Sequence, residues 1–249
     1  RHKGPVDVDL DCEEALALAP AFLPTTAAVF GRASKPRSHY LYCVDAPSFE
    51  KQAFVDPITR DTIIELRGDN GHQTVMPGSL HQDTGELIEW SEIPFPDVPS
   101  GVSAAALSHA ARYIAIVTLI VRHMWHDGSR NEVCKLLAGV FYNLEWEVED
   151  VKAIVQAAMN YTGDDDKTRI RTVGITFERG AAGKKVAGAP KLRQFLRNDV
   201  LVDKLLEWAG SRSATSLLRA YMLWPISASS RFLGLNISFR SLSRRLSGV

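Results

Sequence analysis

Val6-Asp7-Val8-Asp9-Leu10-Asp11 alternates apolar and acidic residues near the start of the chain. A period of two is the mark of a strand with one face buried, so Asp9 and Asp11 share a face opposite the valines. Desolvating two like charges side by side is not repaid by an isolated structural role. A divalent cation repays it, and hard carboxylate oxygens favour Mg²⁺ or Mn²⁺. A second apolar run, Thr62-Ile63-Ile64-Glu65-Leu66, supplies a third acid, Glu65.

The surrounding chain limits what such a site can serve. At 249 residues with 45% hydrophobic content it is long enough for one large domain or two small ones with a real core. The net charge is zero, but residues 1–100 carry 8 Lys+Arg against 16 Asp+Glu, and residues 167–249 carry 16 against 4. That polarity fits an acidic, cation-dependent front and a polyanion-binding back, or else a solvated basic helix face. Cys12, Cys43 and Cys134 are far apart, with no CxxC pair, which argues against a zinc site and a disulfide framework and points to a reducing cytoplasm. The most apolar segment, 113–121, is bounded by Arg112 and Arg122. It falls short of the roughly 20 residues a membrane span needs and is expected to be a buried helix. No signal peptide is expected. It begins without Met, a few residues before its acidic run, so upstream sequence is expected to be missing.

The periodicity predicts an α+β fold. Strands are expected at 5–11, 27–31, 39–44, 62–67, 72–76 and 86–90, with a helix over 12–22. A proline-rich stretch, Ile93-Pro94-Phe95-Pro96-Asp97-Val98-Pro99-Ser100-Gly101, reads as a boundary. The expected organisation is an α+β sheet domain over 1–97, a linker at 98–102, a helical domain over 103–210 and an uncertain basic tail at 211–249. Helices are predicted at 103–125, 131–143, 147–160, 165–179, 190–197 and 199–209, with Ser129 and Glu132 as a capping box before the second.

Four segments now stand in order: Val6-Asp7-Val8-Asp9-Leu10-Asp11-Cys12; Gly31-Arg32-Ala33-Ser34-Lys35-Pro36-Arg37-Ser38-His39-Tyr40-Leu41-Tyr42; Glu65-Leu66-Arg67-Gly68; and Pro77-Gly78-Ser79-Leu80-His81. Together, over about residues 4–92, they closely resemble the bifunctional DNA primase/polymerase domain of the archaeo-eukaryotic primase superfamily. The helical part is similar to the domain that follows in plasmid, phage and integrated-element members, chiefly at Gly128-Ser129-Arg130-Asn131-Glu132 and Leu136-Leu137-Ala138-Gly139.

The resemblance implies a primase-like catalytic sheet, here N-terminally truncated, followed by an all-α domain. It also implies that Asp9, Asp11 and Glu65 hold two divalent cations. Such a pair serves phosphoryl transfer by lowering the pKa of an attacking hydroxyl and offsetting charge on the leaving pyrophosphate. Asp7 precedes the motif and stays outside the ligand set. His39 falls on the family's phosphate-contacting histidine. Arg37 replaces the usual small residue there, although a guanidinium can give a phosphate two hydrogen bonds. Lys35 and Ser38 adjoin it. Ser79 and His81 match a Pro-Ser-x-His segment, and on a strand they would face the same way to donate to phosphate; the alternative is that Ser79 closes a turn after Pro77-Gly78 and His81 is exposed. Arg67 would either offset triphosphate charge or pair with one of the acids, and Trp90 is a packing residue.

Gly180-Ala181-Ala182-Gly183-Lys184-Lys185 lacks the length and the Ser/Thr of a P-loop, so it encodes no ATPase. Arg130 is expected at template or nucleotide phosphate, or in the cap of its helix. Lys184, Lys185, Lys191, Arg193 and Arg197 form the cluster expected to meet a nucleic-acid backbone without reading its sequence. The expected function is template-dependent primer synthesis or extension on single-stranded DNA from NTPs or dNTPs, in replication of a mobile element. A replicative helicase, fused or separate, is an expected partner and a membrane is not. The alternative is a truncated or inactive relative acting as a DNA-binding replication accessory.

Overall fold

The apolar half of the opening alternation decides which side of the sheet is covered. In the computed structural model, which describes residues 5–46, 48–68, 73–91 and 98–210, the first element is strand β1 (Val6–Leu10). It leads into helix α1 (Glu13–Phe22), then strands β2 (Val29–Arg32), β3 (Lys35–Val44), β4 (Gln52–Val55), β5 (Thr62–Arg67), β6 (Ile88–Trp90) and β7 (Ser100–Val102). Helices α2 (Ala104–His123), α3 (Arg130–Asn143), α4 (Val148–Thr162), α5 (Thr168–Ala181), α6 (Ala189–Leu196) and α7 (Asp199–Gly210) follow. The class is α+β, as the periodicity predicts.

The strands form one sheet in the order β4-β5-β1-β3-β2-β6, and β7 pairs with β3. Every pairing is antiparallel except the short β3–β7 pair. Val6, Val8 and Leu10 are fully buried with Tyr40, Tyr42, Ile64 and Leu66 under the helices. A smaller apolar cluster, Ala28, Phe30, Leu41 and Ile88 with Met76 and Trp90, lies apart from that core. β1 is therefore central, and Asp7, Asp9 and Asp11 project from the side that Val6, Val8 and Leu10 leave.

Several expectations change. The stretch expected as linker contains β7, whose Ser100–Val102 pairs with Tyr42–Val44. The helices do not form a core of their own: one continuous set of buried residues runs from Val6 through α2, α3 and α4 to Ala209. β4 was not predicted, and 73–76 form no strand. The capping box does not form, because Ser129 Oγ donates instead to the carbonyls of His126 and Met124. Ser103 caps α2 instead, accepting from the Ala106 N–H at 3.2 Å. The nine-residue apolar segment lies inside the 20-residue α2, which by length and composition alone could cross a membrane. Most of it is buried in the fold as a core helix. Residues 93–97 of the proline-rich stretch, residue 72 and the tail 211–249 lie outside the described residues.

Candidate metal centre

Register brings the site together. Asp9 stands opposite His39 on one neighbouring strand and Glu65 on the other, and Asp7 stands opposite Arg67. Cross-strand neighbours on one face lie close enough for their side chains to meet. Accordingly Asp9, Asp11 and Glu65 each present an oxygen, and the three oxygens lie within 4.8 Å of one another. Three carboxylates with no sulfur or imidazole among them suit a hard, oxygen-seeking cation. Asp9 is buried, and Asp11 and Glu65 are partly exposed.

Basic side chains ring these acids. Arg67 spans two of them, with Nη2 2.5 Å from Asp9 Oδ2 and Nε 2.9 Å from Glu65 Oε2. Lys51 Nζ lies 2.8 Å from the other Glu65 oxygen, and Lys35 Nζ lies 3.3 Å from Asp11 Oδ1. His39 Nδ1 sits 3.1 Å from Asp7 Oδ2 and 3.7 Å from Asp9 Oδ1.

Titration follows this layout. Burial lifts the Asp9 carboxyl above its ordinary value; Asp11 and Asp7 add to the rise while His39 and Arg67 oppose it. Burial alone would raise Glu65 too, but hydrogen bonds from Lys51 and Arg67 outweigh it and hold Glu65 below the usual range. For His39, burial disfavours the imidazolium, yet the hydrogen bond and charge of Asp7, with Asp9, carry the ring above its ordinary value. The site thus has one acid that resists ionisation beside one that favours it. A bound cation would favour the ionised form of both.

The other expected residues divide. Lys35 and Arg67 are at the acids, and Arg67 makes the carboxylate pairing that was one of its two readings. Arg37 is exposed and has a left-handed backbone, φ 54°. Ser38 does not reach the acids. It follows the opposite phase from His39, is 1% exposed, and its Oγ has no hydrogen-bond partner among the described residues. Ser79 and His81 do not face out together from a strand. They lie in and beside a turn, where His81 Nδ1 takes the Thr84 N–H at 3.3 Å and Ser79 donates its N–H to Met76. Trp90 packs edge-on against Phe30, as expected of a packing residue.

In the helical part, Arg130 pairs with Asp127 at 2.7 Å and Asp164 at 3.7 Å. Lys184, Lys185, Lys191 and Arg197 are exposed, whereas Arg193 pairs with Asp199 and Asp203 of α7. Lys51, Thr74 and Phe30 reach the acidic face or its histidine without having been predicted. Lys51 flanks a strand too short to show a period, and nothing in its neighbours marks it. No protein-family model, no curated protein and no solved structure matches this chain.

Proposed function

We propose that the chain is a metal-dependent nucleotidyltransferase of the primase/polymerase kind, making or extending primers on single-stranded DNA. The observation that carries this reading is the convergence of Asp9 and Glu65 from two adjacent strands with Asp11, just past the end of the first. Mg²⁺ or Mn²⁺ held there would supply Lewis-acid stabilisation of the charge that develops in phosphoryl transfer. The protein's own part is to fix the three carboxylates and to surround them with Lys35, Lys51, Arg67 and His39. Those cations complement a triphosphate electrostatically and hold it in place. The exposed lysines at 184, 185 and 191 offer a backbone-binding surface on the helical side.

The test is primer synthesis on single-stranded DNA with Mn²⁺ and labelled nucleotides. Wild-type extension is expected, with loss by at least about 100-fold in the Asp9→Asn, Asp11→Asn double variant while DNA binding persists. Equal activity in the double variant would sink the proposed site. DNA binding without synthesis by the wild type would favour the accessory role.

A further inference from the structure

Asp7 lies outside the three ligands yet is almost completely buried, at 3% exposure. A carboxylate so close to Asp9 adds repulsion, so something must compensate it. Its compensation is specific. His39 Nδ1 lies 3.1 Å from Oδ2 and 3.3 Å from Oδ1, and Thr74 Oγ1 donates to Oδ2 at 2.7 Å. The imidazole also stacks on Phe30, with centroids 4.7 Å apart and planes 8° from parallel. A ring gripped at one edge and covered on one face has little freedom to turn over. Among the described residues every polar contact of His39 runs through Nδ1. Nε2 is the nitrogen left over, and the hydrogen bond made by one ring nitrogen sets the role of the other.

We propose that Asp7 is a positioning residue: by accepting the Nδ1–H of His39 it fixes the orientation of the ring, so that Nε2 is the nitrogen turned to a phosphate oxygen of the nucleotide. Thr74 holds the carboxylate in place for this. The proposal rests on the nucleotidyl-transfer reading for its ligand, but not for the state of the ring.

Two measurements test it. In ¹⁵N-resolved imidazole spectra of the metal-free full chain, Nδ1 of His39 is expected to be protonated. Asp7→Ala should release that proton, and Asp7→Asn, whose amide oxygen still accepts, should retain it. In calorimetric titrations with magnesium tripolyphosphate, Asp7→Ala should weaken binding about 10–100-fold and Asp7→Asn much less. The Asp7→Ala, His39→Ala pair should bind no worse than His39→Ala alone, because Asp7 acts through the ring. Thr74→Val leaves both partners in place and is expected to broaden the ring signal, which covers the case that Asp7→Ala fails to fold. An unchanged His39 spectrum in Asp7→Ala, or in Thr74→Val if the former does not fold, overturns the proposal, as do additive losses in the pair. If the wild type does not bind tripolyphosphate, the phosphate half of the proposal falls with the nucleotide reading, and the spectrum alone decides whether Asp7 holds the ring.

Discussion

Around Asp9 each carboxylate already has a basic partner: Asp7 has His39, Asp9 has Arg67, Asp11 has Lys35, and Glu65 has both Lys51 and Arg67. A polyanion draws on the same basic groups, so its arrival frees the acids for a divalent ion, and the two ligands are thermodynamically linked. Mn²⁺ alone is therefore expected to bind weakly, and its affinity should rise about 10-fold or more when dATP is present. Isothermal titration of Mn²⁺ with and without dATP checks this, and equal affinities would mean that the acids and bases do not exchange partners. The alternation of β1 and the lone Glu65 were readable in the sequence because they obey a period of two. The same rule turns Ser38 away from the acids: neighbours on a strand face opposite ways, so a phosphate role for His39 does not extend to the residue before it.

At the scale of elements, the β2–β3 hairpin carries an irregularity that aims its side chains. Phe30 pairs with His39 but Arg32 with Lys35, so two steps along β2 span four along β3. The extra residues bulge outward, and Arg37 takes up the left-handed conformation. Gly31 sits under the bulge, where an added Cβ would lie 2.5 Å from the Lys35 carbonyl oxygen and 2.8 Å from the Arg37 nitrogen. Both are backbone atoms and cannot swing aside. Gly31→Ala should cost about 1–3 kcal/mol in urea unfolding, and a neutral result would show that the hairpin adjusts freely. A bulge is not visible to a period count, and the expectation for Arg37 came from the motif; the residue is exposed with a left-handed backbone. The helices were far more legible, because α2 to α7 carry apolar residues on turn after turn. β4 offers only Gln52-Ala53-Phe54-Val55, with one buried side chain.

At the scale of the molecule, α1, α2 and the β4–β5 hairpin are joined by a polar clasp. Arg122 on α2 grips Glu14 of α1 with two 2.8 Å hydrogen bonds and reaches Asp56 at 3.1 Å. His123 meets the same Asp56 oxygen at 2.8 Å, and the N–H of Ile58 donates to its other oxygen at 2.9 Å. The Arg122 hydrogen bond holds Glu14 below its ordinary value despite burial. Asp56 is depressed as well, because His123, backbone N–H groups and Arg122 outweigh its burial. Both acids therefore take up protons more readily unfolded than folded, so their contribution is present above about pH 4 and lost as pH falls through the lower folded values. The urea midpoint is expected to fall between pH 6 and pH 3 and to fall less in Arg122→Met; an equal drop in the variant would place the acid sensitivity elsewhere. The shared core has a different consequence. Phe54 of β4 meets Trp208 of α7 edge-on at 5.4 Å, and Trp146 Nε1 donates to the Ala209 carbonyl at 3.0 Å. The last described helix thus packs against the sheet that carries the acids. Sheet and helices share one buried core, so a cut at residue 100 would expose apolar side chains on both sides of it.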